Sequence, residues 1–158
     1  MKIFRLSDKV YHNDFELVAN CGWEEFLDTC KEYLQPDHYA EIESMGKKSG
    51  LYCMPKNRNG VDTILVYIGH FDFKIVEIST LVHELKHMTD AVLERVGITD
   101  KSEAPCYYLE YLLTMCLEAL HDYKREQDQE QNARQKEDRE RRRNSKKEKG
   151  GSKRSTTK

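Results

Sequence analysis

The sequence predicts an α+β domain, and three patterns predict it. Thr63-Ile64-Leu65-Val66-Tyr67-Ile68 is dense in β-branched and aromatic residues, as a strand is. Glu77 to Val96 repeats apolar residues at the helical period. A second helical pattern follows from Glu103 to about His121, so the strand signals fall mostly ahead of the longest helices.

The elements follow in order. Val10 to Ala19 reads as one or two short strands, and Asn20-Cys21-Gly22 breaks the chain. Trp23 to Leu34 places Trp23, Phe26, Leu27, Cys30 and Leu34 at helical spacing, and Pro36 ends that helix. Gln35 to Gly60 is irregular, with a short strand at Gly50–Met54 and a turn at Asn57-Arg58-Asn59-Gly60. Within Glu77–Val96, residues Ile78, Leu81, Val82, Leu85, Met88, Val92 and Val96 form one stripe. His83, His87, Asp90 and Glu94 fall nearly opposite, away from the face that packs on the sheet. Gly97 suits the helix C-terminus. Ser102 is an N-cap for the third helix, and Pro105 is tolerated in its first turn. There Leu109, Leu112, Leu113, Cys116 and Leu120 form an apolar face, and Glu103, Tyr107, Glu110, Thr114 and His121 a polar one. The Tyr107, Tyr108, Tyr111 group reads as packing.

From Lys124 the apolar periodicity stops. Residues 1–123 are therefore read as one domain and 124–158 as a charged tail, partly helical and then, from Arg141, disordered. Charge divides in the same way. Residues 1–121 carry 12 Lys and Arg against 20 Asp and Glu, net −8, and residues 122–158 carry 14 against 8, net +6. The basic end, 139–158, suits non-specific contact with nucleic acid or another polyanion. Five cysteines without a C-x-x-C pair argue against a disulfide framework and a four-Cys zinc site. No apolar run is long enough for a signal peptide or a membrane span, so a cytoplasmic protein is expected, with no membrane contact.

The chemistry lies in His83-Glu84-Leu85-Lys86-His87. Residues four apart on a helix share a face, so two imidazoles can hold one Zn²⁺ while the adjacent Glu84 serves as general base to a water on that metal. A catalytic zinc needs a third protein ligand. The candidates are Asp90, Glu103 and Glu110, of which Asp90 crowds the metal from the same helix. Asp90 also suits a hydrogen bond to a ligand histidine. His12, His38 and His70 have no partner at ligand spacing.

Val82-His83-Glu84-Leu85-Lys86-His87, Glu94-Arg95-Val96-Gly97-Ile98 and Glu103-Ala104 together resemble the gluzincin pattern. They look most like compact zincin-like putative metallopeptidases of the kind bacteriophages encode. The resemblance implies a minimal zincin-like domain: a small mixed or antiparallel sheet, an H-E-x-x-H helix and a following Glu-bearing helix. It makes His83, His87 and Glu103 the zinc ligands and Glu84 the catalytic base, acting on a peptide or protein, in host cytoplasm if phage-encoded. Where the family often has an Asp that orients a zinc-bound histidine, this chain has Tyr107. Tyr107 and His121, with Tyr108, are the nearby candidates for stabilising the transition state, and Glu110 is a candidate supporting residue. The alternative is a non-catalytic zincin-like phage protein that binds a host or viral partner.

Overall fold

The computed structural model describes residues 1–98 and 103–151, with side chains through 142. The fold is α+β: four helices and a four-stranded mixed sheet. The strands are β1 (Lys2–Ser7), β2 (Asp14–Ala19), β3 (Gly50–Cys53) and β4 (Ile64–Ile68). The helices are α1 (Trp23–Tyr33), α2 (Pro36–Ser44), α3 (Ile75–Arg95) and α4 (Ala104–Gly151). The chain divides into two compact units, Met1–Leu117 and Glu118–Lys158.

The sheet order is β1-β2-β4-β3. β1 and β2 are antiparallel, β2 and β4 parallel, and β3 and β4 antiparallel, which leaves β3 an edge strand. All five residues of β4 are buried, the mark of a strand covered on both faces. One face carries Val18, Leu65, Tyr67 and Leu51 into a cluster with Trp23, Phe26 and Cys30 of α1 and Ile42 of α2. There the Phe26 and Tyr67 rings stack at 4.4 Å. Side chains alternate along a strand, so Gly50 and Tyr52 point to the other face, where α3 packs against β3 and β4.

β1 was not anticipated. Its residues are half-buried to exposed, as at a sheet edge, and they lack the clean alternation that signals a strand. α2 occupies part of the stretch read as irregular. Pro36 does end α1, and it also opens α2 from its first turn, where its fixed φ suits a helix start. α3 extends over Ile75–Arg95, with Gly97 just past its end at φ +78°.

The first turns of α4 are fixed by a buried carboxylate. Asp8, 2% exposed, accepts the backbone N–H groups of Val10 and Tyr11 at 2.7 and 3.2 Å and the Tyr108 hydroxyl at 2.7 Å. The Tyr11 ring meets Tyr108 edge-on. Of the predicted apolar face, Leu112, Cys116 and Leu120 are buried and Leu109 and Leu113 only half-buried, and Tyr108 joins the buried side. Tyr107 is instead 64% exposed.

The second unit is helical to Gly151, so the basic run from Arg141 to Gly151 continues the helix rather than breaking from it. Arg, Lys, Glu and Gln are good helix formers. Pairs such as Lys124–Asp128, Asp122–Arg125 and Glu130–Arg134 add weak support one turn apart. The disorder expected over 152–158, and Ser102 as an N-cap, lie outside the described residues. Among the described residues no helix is long and apolar enough to cross a membrane.

Candidate functional site

α3 presents the H-E-x-x-H residues on two sides of itself. Leu81, Leu85, Met88 and Val92 face the core and are at most 1% exposed. His83 and His87 are exposed on the outer side, as their spacing predicted. Their Nε2 atoms lie 3.1 Å apart with the rings nearly perpendicular. That contact is within hydrogen-bond distance, its donor set by the tautomers of the two rings. It is also close to the span of about 3.3 Å between two ligand nitrogens, each about 2.05 Å from one tetrahedral Zn²⁺. The donor pair therefore fits a metal's bite.

Glu84 sits between them in sequence and is buried, 8% exposed. Its place depends on Gly50 at the start of the edge strand. A Cβ on Gly50 would lie 2.5 Å from Thr80 Cγ2, 2.9 Å from Glu84 Oε1 and 3.0 Å from Glu84 Cγ. Only a residue without a side chain lets β3 come down onto that carboxylate. A lone Gly opening a strand signals close backbone approach, so Gly50 is within reach of sequence reasoning, but its partners Thr80 and Glu84 are not. Beside Gly50, and on its face of β3, the Tyr52 hydroxyl is buried without a hydrogen-bond partner, and burial pushes its pKa up to about 12.

The other predicted residues lie as follows. Glu103 is exposed at the start of α4, and its Oε2 accepts the Tyr107 hydroxyl at 2.9 Å. This bond is the main reason the Tyr107 pKa is raised. Asp90 pairs with Lys86 one turn earlier, its Oδ2 at 2.6 Å from Nζ, rather than with a histidine. Glu110 is exposed on α4, and His121 is exposed in the second unit. Among the described residues, His83 and His87 are brought together but no group of three or more His, Cys, Asp or Glu converges as a metal site. Glu103 follows directly on residues 99–102, outside the described set.

The five cysteines are free. Burial pushes the thiols of Cys30, Cys53 and Cys116 up to about 12. Thiols so placed pack as small neutral groups. Comparison with protein-family models, curated proteins and solved structures returns no match.

Proposed function

We propose that the protein is a zinc-dependent metallohydrolase of the zincin-like type that cleaves peptide bonds, in the cytoplasm. His83, His87 and Glu103 hold the metal and Glu84 is the general base. The observation that carries this is the pair of Nε2 atoms 3.1 Å apart on an exposed helix face, with a buried carboxylate between the two histidines in sequence. Bound zinc would supply the Lewis acidity that lowers the pKa of water to about 7. Glu84, held under Gly50, would accept a proton from such a water and donate it to the leaving amine. Tyr107 fixes the Glu103 carboxylate through its hydroxyl, the kind of support that ligand groups use. The edge position of β3 supports a peptide as the substrate, because an extended chain can add beside it by main-chain hydrogen bonds, next to the strand whose Gly50 lies against Glu84.

Metal analysis of the full chain, beside a peptide-cleavage assay, tests this. Wild type should carry one zinc, and His83→Ala, His87→Ala and Glu103→Ala should lose it. Glu84→Gln should keep its zinc and lose about 10²–10⁴-fold in rate, the usual worth of a general base. A wild type that binds no zinc removes the proposal. Zinc binding without any cleavage reduces the site to a clamp in a binding protein. The basic end, residues 139–158, is a separate proposed contact for a polyanion. DNA binding that is steeply salt-dependent and disappears with residues 124–158 would support it.

A further inference from the structure

A cavity of about 470 Å³ opens where the parallel strands β2 and β4 end and where α1 and α3 begin. Its volume falls within the range of about 300–1,000 Å³ typical of pockets for organic ligands. His70 lines it, whereas His83, His87 and Glu84 do not. Its wall is aromatic: Trp23, Tyr67 and Phe71. Val76, 76% exposed, adds an apolar lip.

The charges around the cavity are unbalanced in effect, although not in number. Its two carboxylates are already engaged. Glu25 Oε1 is 3.1 Å from the Met1 ammonium, and Glu77 Oε2 accepts the backbone N–H groups of Asp72 and Lys74 at 2.6 and 3.0 Å. Lys47 and Lys48 line the cavity from exposed positions, and no ion pair engages either among the described residues. The space is thus apolar within and cationic at its rim.

Its position ties it to the histidine helix. Thr80 lines the cavity and, with Glu84 one turn later, meets Gly50. Ser49 and Lys48, also lining residues, immediately precede Gly50. At about 3.3 Å per residue, a chain extended along the free edge of β3 passes from Glu84 to the cavity within one or two residues.

We propose that this cavity receives a bulky aromatic side chain of a peptide, one or two residues from the bond held at Glu84, and that Lys47 and Lys48 select an acidic residue beside it. The placing of the cleaved bond rests on the peptidase function, whereas the binding itself does not.

Trp23 is the single tryptophan of the chain, so its emission reports occupancy without any turnover. The experiment titrates full-length Glu84→Gln protein with short alanine-based peptides that carry Phe followed by Glu. Control peptides replace Phe by Ala or Glu by Lys. The Phe–Glu peptide should change Trp23 emission saturably. Either replacement should weaken binding about tenfold or more, as should Lys47→Glu with Lys48→Glu in the protein. Both lysines are exposed, and the paired Gln substitutions should give an intermediate loss in a protein with unchanged circular dichroism. Binding indifferent to Phe, or to the charge at 47 and 48, overturns the proposal. Wild-type cleavage with the same indifference overturns the pocket and leaves the peptidase function standing. Selective binding without cleavage by zinc-loaded wild type does the reverse.

Discussion

Gly50 decides how closely β3 approaches α3, and so how far Glu84 is withdrawn from water. Gly50→Ala places a methyl group within 3 Å of Thr80 Cγ2 and Glu84 Oε1. Overpacking of this kind costs about 1–3 kcal/mol. Chemical denaturation should show that loss, and zinc content should be retained while cleavage falls, because the carboxylate is displaced and the histidines are not. Tyr52, two residues on, presents the opposite case. Its hydroxyl is buried with no partner, so Tyr52→Phe removes an unsatisfied group and should leave stability unchanged or raise it by up to about 1 kcal/mol. A drop in stability on that substitution would show that the hydroxyl has a partner after all. Tyr108 differs again, since its hydroxyl completes the shell of Asp8. A hydrogen bond to a charged group contributes about 1.5–3 kcal/mol, and Tyr108→Phe should cost that much in a urea melt.

At the level of elements, legibility followed periodicity. α1, α3 and β4 were readable because each carries an unbroken apolar pattern of its own. β1 and α2 were not, because a short edge strand and a nine-residue helix draw most of their stability from neighbours that no local pattern names. The site divides likewise. The outward direction of His83 and His87 follows from helical spacing alone. The burial of Glu84 needs Gly50, 34 residues upstream, and the anchoring of α4 needs Asp8, 100 residues from Tyr108. α3 itself begins with a device that local sequence does record: Glu77, three residues after Lys74, reaches back to the Lys74 and Asp72 N–H groups. Burial works against ionisation of Glu77, but the two backbone hydrogen bonds and then Lys74 outweigh it, and its pKa is lowered. A lowered folded-state pKa contributes stability that is complete above the ordinary value of 4.5 and is lost as pH falls through the folded value. Protection factors for hydrogen exchange at the start of α3, corrected for the intrinsic rate, should therefore fall in acid, below the ordinary carboxylate range. Glu77→Ala should remove that pH step and cost about 0.3–1.5 kcal/mol at neutral pH.

Over the whole molecule, two kinds of helix stability are joined in one chain. Residues 1–117 form a compact unit around a sheet covered on both faces, so their structure depends on buried apolar area. Beyond Lys124 the helix has no large apolar face, and what supports it is intrinsic propensity with charge pairs such as Lys124–Asp128 and Glu130–Arg134, spaced one turn apart. Exposed pairs of this kind contribute about 0.3–0.5 kcal/mol each and are screened by salt. From about 0.1 M to about 1 M salt the screening length falls from about 10 Å to about 3 Å. The charged helix should then lose part of its ellipticity, while burial of apolar surface is not weakened by screening. Circular dichroism in the far and near ultraviolet separates the two. Near-ultraviolet signals from Trp23 and the buried tyrosines should melt in one cooperative step that added salt does not lower. Far-ultraviolet signal should fall additionally along a broad slope, shallow in starting amplitude at high salt. Truncation after Leu117 should remove the slope. If the slope persists in the truncated chain, or if salt leaves the far-ultraviolet signal of the full chain unchanged, charge pairing is not what holds the second unit helical.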